Sequence, residues 1–167
     1  MASEIKVDTI VNAGGDNDTG IDLATNDQIL LKVANATKLT MNSTGQTTIV
    51  GEGGTTTTNL QQGLAKVWFH FDGSGTASIS DSFNVSSLDD DGTGQYGLHY
   101  TNNLATANQG AGHNASFGNA SATAHFLDYH TTTTSTVDMD GFKISSGGSL
   151  VQNDIQAARG NIFGDLA

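Results

Sequence analysis

The sequence predicts an all-β protein, and three observations lead to that prediction. Among its 167 residues, Gly and Thr each supply more than twenty, while proline and cysteine are absent. Thr is β-branched and suits a pleated, half-exposed strand surface, and Gly allows turns and bulges. Short segments in which apolar and polar residues alternate recur along the chain, separated by clusters of Gly, Asn, Asp and Ser. We therefore expect many short strands rather than a helical core.

Residues 1–50 are predicted to form short, thinly apolar strands. The apolar clusters are Ile5 and Val7, Ile21 and Leu23, Ile29 to Leu31 with Val33, Leu39 with Met41, and Ile49 with Val50. Asn42 to Gly45 is the clearest turn among them. Strands of this kind cannot close a core alone, so we expect them to pack against copies of the same chain.

Residues 51–63, GEGGTTTTNLQQG, have no apolar periodicity and are predicted to be a Gly/Thr-rich hinge. Residues 64–167 are predicted to form a C-terminal β domain, because regularly spaced short strands are typical of sandwich-like or barrel-like folds. In AKVWFHF, alternation puts Val67, Phe69 and Phe71 on one face and Trp68 on the other. A helical turn is expected only at 156–159, near the C-terminus, with Gly160 ending it.

Three consecutive aspartates, Asp89, Asp90 and Asp91, lie between two alternating strands and are followed by Gly92-Thr93-Gly94. Asp-Gly between such strands is a strong hairpin signal, which favours a hairpin tip. A calcium site would need six to eight oxygens, and the spacing excludes an EF-hand loop. A surface cation shared between subunits stays open as the alternative, with these aspartates as candidate ligands.

Composition restricts the partners and the chemistry. The net charge of −11 argues against binding nucleic acid or anionic membranes. The sequence shows neither a signal peptide nor a stretch long enough to span a membrane, so we expect a chain that is soluble and not exported by a visible signal. The histidines lack metalloenzyme spacing, and no nucleophile or phosphate-loop motif occurs. We therefore expect no enzymatic activity and no cofactor.

Binding residues are sought among exposed aromatic side chains. Trp68, Tyr96 and Tyr100 could stack on sugar rings, although aromatic residues of this kind more often belong to a core. The segment from Thr101 to Ala122 is predicted to be a long loop, either an amide-rich binding surface or a spacer. His113 and Phe117 are its candidate contact residues.

Two parts of the chain resemble appendage proteins of tailed bacteriophages. DQILLKVANATKLTMNSTGQTTIVGEG is similar to a fibre repeat in which Leu39 and Met41 precede an Asn-Ser-x-Gly turn and Ile49 follows it. The opening SEIKVDTIVNA, and AKVWFHFDGSGTASISDSFNVSSLDDDGTGQYGLHYTN, resemble segments of fibre-like proteins from marine phages. The resemblance covers residues 2 to about 101, whereas the family's usual continuation is absent or altered over 101–122.

The resemblance implies a virion protein, assembled in the host cytoplasm, that forms a homotrimer with its N-terminal strands intertwined around a threefold axis. Its implied partners are its own copies, other virion proteins at the N-terminal segment, and a host-surface glycan or protein. A trimeric tail fibre or spike is the first hypothesis. A capsid head fibre or decoration protein is the second. The third, of a different class and based on the aromatic residues rather than on the resemblance, is a carbohydrate-binding or carbohydrate-cleaving module.

Overall fold

The computed structural model of the chain describes residues 6–11, 19–51, 53–116 and 124–165. The predicted all-β class is confirmed, because all fifteen elements in these ranges are strands and none is a helix. The chain divides into two compact units, Met1–Gly63 and Leu64–Ala167.

The N-terminal unit is one six-stranded antiparallel sheet in which each strand pairs with the next along the chain. Its strands are β1 (Thr9–Val11), β2 (Gly20–Asp22), β3 (Ile29–Val33), β4 (Ala36–Met41), β5 (Thr47–Val50) and β6 (Thr57–Asn59). The predicted turn at Asn42 to Gly45 is confirmed: the Asn42 side-chain oxygen accepts hydrogen bonds from the backbone N–H groups of Thr44 and Gln46. The segment predicted as a hinge contributes β6 to this sheet.

The described residues of the C-terminal unit form two antiparallel sheets. The four-stranded sheet has the order β11-β15-β7-β8; the five-stranded sheet has the order β12-β13-β10-β9, with β14 also pairing with β13. The strands are β7 (Val67–Asp72), β8 (Ser78–Phe83), β9 (Val85–Gly92), β10 (Gln95–Tyr100), β11 (Gly110–Ser116), β12 (His125–Thr132), β13 (Thr136–Ile144), β14 (Leu150–Gln152) and β15 (Ala157–Phe163).

One buried core is shared by these two sheets. The four-stranded sheet contributes Val67, Phe69, Phe71, Ala158 and Ile162, and the five-stranded sheet contributes Tyr96, Leu98, Tyr100, Leu127, Val137 and Met139. The rings of Phe71 and Tyr96 meet across the core with centroids 4.9 Å apart. The chain changes from one sheet to the other at Asn84, a single residue with φ of 59° between β8 and β9.

Two sequence predictions are wrong. The C-terminal helical turn is instead part of β15, which lies between β7 and β11, because pairing on both edges satisfies its backbone and overrides a weak local helix signal. The predicted long loop contains β11, and Leu104 in its first part is 1% exposed and belongs to the core. Residues 117–122 of that loop lie outside the described residues.

Candidate functional site

The outward surface of the four-stranded sheet is built around Trp68. Alternation along β7 works as the sequence predicts: Val67, Phe69 and Phe71 are buried, and Trp68 between them is 39% exposed. Cross-strand partners in a sheet point to the same side, so the register identifies which residues accompany Trp68.

One row of cross-strand partners crosses this sheet through Trp68. Phe83 on β8 is its partner on one side, and Asn161 on β15 is its partner on the other, followed by Gly112 on β11. Phe83 is 52% exposed, so two aromatic residues on adjacent strands are exposed on this side of the sheet. A Cβ atom at Gly112 would stand 2.6 Å from the Asn161 side-chain oxygen, so a larger residue there would require the Asn161 side chain to move.

The neighbouring row on the same side is polar. It runs from Asp81 on β8 through His70 on β7 to Arg159 on β15. Asp81 and Arg159 are exposed, and His70 is half-buried. We call the two rows together, from Gly112 to Phe83 and from Arg159 to Asp81, the Trp68 face. Trp68, Arg159 and Asn161 line an open depression in it, together with Gly112, His113 and Gly160.

The aromatic residues predicted to bind a receptor divide into separate environments. Trp68 is exposed, whereas Tyr96 and Tyr100 are 1% and 5% exposed and lie in the core, so neither presents a ring face at the surface. Burial raises the pKa of Tyr96 to about 12 and raises that of Tyr100 as well. His113 is exposed and borders the depression, and its ring packs against Tyr129 at a centroid distance of 5.1 Å. Phe117 lies outside the described residues.

The three consecutive aspartates belong to a strand rather than to a hairpin tip. The predicted hairpin is confirmed, but Asp89, Asp90 and Asp91 lie within β9, and the chain reverses at Thr93-Gly94. Gly94 allows the chain to reverse there because it adopts the left-handed conformation, with φ of 66°. A Cβ at this position would also have no room beside the Gly141 carbonyl.

The aspartate side chains have individual contacts. Asp89 approaches the His99 ring nitrogen at 2.7 Å, and Asp90 accepts a long hydrogen bond of 3.3 Å from the Ala77 backbone N–H. Within the described ranges, no group of three or more His, Asp or Glu side chains is arranged to hold a metal ion.

A second distinctive surface lies on the N-terminal sheet. A row of five apolar side chains crosses consecutive strands: Ile10, Ile21, Leu31, Leu39 and Ile49. Ile29 and Met41 form a cross-strand pair on the same side, and they are 41% and 39% exposed. We call this set the apolar face. The described residues of this unit form only the one sheet, so they supply no second layer to cover it.

The opposite face of this sheet is polar. Its central cross-strand row is Thr9, Asp22, Leu30, Thr40, Thr48 and Asn59. The Lys32 ammonium lies 2.5 Å from an Asp22 carboxylate oxygen. This hydrogen bond, together with one from the Ala24 N–H, lowers the pKa of Asp22. The sheet is therefore amphipathic, with one apolar face and one mainly polar face.

No family model matches the chain, and neither a curated protein nor a solved structure matches it. In the part of the chain that the structure describes, no helix is long and apolar enough to cross a membrane.

Proposed function

We propose that this chain is a structural subunit of a tailed-bacteriophage virion, a trimeric tail fibre or spike that presents a β-sandwich-like domain to the host surface. The observation that carries the proposal is the apolar face of the N-terminal sheet. A capsid head fibre or decoration protein would be built in the same way and is the alternative mounting.

The apolar face requires a cover that is present whenever the sheet is folded. Large contiguous apolar patches on soluble proteins mark interaction sites, and a single-layer sheet buries too little apolar surface to be stable alone. Other copies of the same chain are present wherever the chain is made, and closed symmetric assemblies bury identical faces against one another. Sister chains are therefore the partners proposed to cover the apolar face. Three sheets around one axis would cover their apolar faces at once and turn their polar faces to water. The resemblance to phage fibres is what suggests the number three.

The C-terminal unit suits a role in attachment. Its core is complete within the described residues, and its Trp68 face offers exposed aromatic rings beside polar groups, as ligand-binding surfaces do. We assign the chain no catalytic role and no cofactor. The partners in this proposal are its own copies, other virion proteins at the N-terminal segment, and a host-surface glycan or protein, with neither nucleic acid nor membrane insertion.

Light scattering on the purified full chain, with and without EDTA, tests the assembly. A mass of three chains that EDTA leaves unchanged supports the intertwined fibre. A trimer that dissociates in EDTA would instead implicate Asp89 to Asp91 as ligands of a shared cation. A stable monomer would contradict the fibre and favour an isolated carbohydrate-binding module.

Electron microscopy of virions labelled with antibodies against this chain tests the location. Label on tail appendages is the expected result, whereas label on the capsid would select the alternative mounting. Virions that carry no label at either place would remove the structural role.

A further inference from the structure

The only tryptophan and the only arginine of the chain lie on the same face of one sheet. Trp68 and Arg159 belong to adjacent strands, and they occupy neighbouring rows because Trp68 pairs with Asn161 and Arg159 pairs with His70. From this juxtaposition we infer that the Trp68 face binds a carbohydrate that carries a carboxylate, such as a uronic or sialic acid residue. The inference deepens the attachment role proposed above and rests on it.

The aromatic row supplies a surface for a sugar ring. Trp68 and Phe83 are cross-strand partners and both are substantially exposed, although β7 has buried positions on its other side. Exposed aromatic side chains of this size provide large apolar contact area at a low cost in conformational entropy. The apolar side of a pyranose ring can lie on them while its hydroxyl groups remain at the rim.

Arg159 is what selects an acidic sugar over a neutral one. The chain has seventeen acidic residues and six Lys or Arg, and Arg159 is the one Lys or Arg of the Trp68 face. Lys32 is paired with Asp22, but the Arg159 guanidinium forms no ion pair or hydrogen bond with any described residue. Asp81, in the same row, is two strands away, on the far side of His70. A guanidinium matches a carboxylate with two parallel hydrogen bonds, and a bound uronate would supply that partner.

Asn161 continues the same row between Trp68 and Gly112 on β11, where its amide can both donate to and accept from sugar hydroxyl groups. Gly112 has no side chain, which leaves space for that amide in its present position. Asp81 is the acidic residue of the Trp68 face, and a ligand carboxylate bound at Arg159 would lie two strands away from it. Charges elsewhere on the protein are screened over about 8 Å at physiological salt. The face therefore combines a ring platform, a hydroxyl-binding amide and a carboxylate-binding fork.

Fluorescence provides a direct readout because Trp68 is the sole tryptophan. The full chain is titrated in about 0.15 M salt with tetragalacturonate, tetraguluronate and 3′-sialyllactose, and with cellotetraose as the neutral control. We expect saturable change with at least one acidic sugar and markedly weaker change with cellotetraose. Arg159→Gln should weaken acidic-sugar binding about tenfold or more, and Arg159→Lys by less. Lys38→Gln removes the same charge in the other unit and should leave binding unchanged.

Calorimetry replaces fluorescence for the tryptophan variants. Trp68→Ala should abolish binding and Trp68→Phe should retain part of it, with the strand circular dichroism of each variant checked against the parent. Absence of binding to all three acidic sugars, equal binding of cellotetraose, or full affinity in Arg159→Gln would each overturn the inference. The assembly experiment separates this result from the proposed function. A trimer that does not bind acidic sugars would support the fibre and contradict this site. A monomer that binds them would support this site and contradict the fibre.

Discussion

The phenolic oxygen of Tyr96 links Ile155 to Gly73 through the core of the C-terminal unit. It accepts a hydrogen bond of 3.0 Å from the Ile155 backbone N–H and donates one of 3.2 Å to the Gly73 carbonyl. The Gly73 N–H in turn donates to the Ile155 carbonyl at 2.8 Å. A Cβ at Gly73 would lie 2.3 Å from the phenolic oxygen, so the Tyr96 hydroxyl occupies the space that a side chain at position 73 would need. A side chain predicted to bind a receptor thus serves to join segments distant in sequence.

Replacing Tyr96 by Phe is expected to lower the free energy of unfolding by about 1–3 kcal/mol, because the Ile155 N–H and one Gly73 acceptor would be left buried without this partner. Denaturant unfolding of the full chain measures the loss. Tyr129→Phe is the matched control, since the buried Tyr129 hydroxyl has no hydrogen-bond partner among the described residues. That variant should be neutral or slightly more stable. Equal losses in the two variants would show that the Tyr96 hydrogen bonds contribute little.

The protein is expected to lose stability at alkaline pH through its tyrosines. Burial raises the pKa of Tyr96 to about 12, and burial raises the pKa values of Tyr100 and Tyr129 as well. An unfolded tyrosine loses its proton near pH 10, while the folded chain holds all three protons. The folded state therefore binds more protons above about pH 10, and the stability conferred by the neutral tyrosines is lost as the pH rises from there.

Absorbance at 295 nm measures this directly. The folded protein at about pH 11 should show almost no tyrosinate, whereas the chain in guanidinium should ionise with a midpoint near 10. These three are the only tyrosines in the sequence, so no other tyrosine contributes to the absorbance change. A midpoint near 10 in the folded protein would show that the rings are accessible to water.

Asn84, a half-buried residue between β8 and β9, is expected to be sensitive to substitution. Its φ of 59° is in the left-handed region, its amide donates to the carbonyls of Lys66 and Asn102, and its oxygen accepts from the Asn102 backbone N–H at 2.7 Å. Asn84→Ala should cost about 2–4 kcal/mol, since it loses these bonds and strains the backbone. Asn84→Gly loses the bonds alone and should cost less. The order Asn, Gly, Ala in unfolding free energy is the expected result, and an Ala variant as stable as the Gly variant would show that the conformation is not strained.

The sequence predicts local alternation well and long-range pairing poorly. The period of two in AKVWFHF correctly places Trp68 outward, because burial of one strand face is a local pattern. Local sequence patterns offer no reason to place Arg159 beside Trp68, because the two residues are some ninety positions apart and come onto one face only through the pairing of β15 with β7. A usable signal was present: Ala158 and Ile162 alternate with Arg159 and Asn161, but Gly160 in the middle was interpreted as the end of a helix.

Other differences have equally specific causes. A Cβ at Gly160 would meet the rings of Phe69 and Tyr129, so this glycine serves close packing rather than chain termination. Alternation alone gives no sign that the segment from Ser78 to Leu88 belongs to two strands, but the left-handed Asn84 divides it between two sheets. The apolar alternation of the N-terminal unit was visible in the sequence, and the structure adds that its members align into one row across five strands.

A lysine in the middle of that row is expected to prevent assembly. Leu31 lies between Ile21 and Leu39 and is 36% exposed, so Leu31→Lys need not disturb the folded sheet. In an assembly the same position would be buried against sister chains, where an unpaired ammonium is strongly unfavourable. Light scattering should therefore give a mass of one chain where the parent gives several.

Thr40→Lys is the control for that variant, because Thr40 is in the neighbouring strand on the polar side of the sheet. It adds the same charge and the same side chain, and it should assemble like the parent. If Leu31→Lys assembles normally while its circular dichroism remains that of a β protein, the apolar face is not the contact between copies. If both variants dissociate, added charge on the sheet opposes assembly whichever side carries it. Dissociation of Leu31→Lys alone would locate the contact on the apolar face, since only the side of the sheet differs between the two variants.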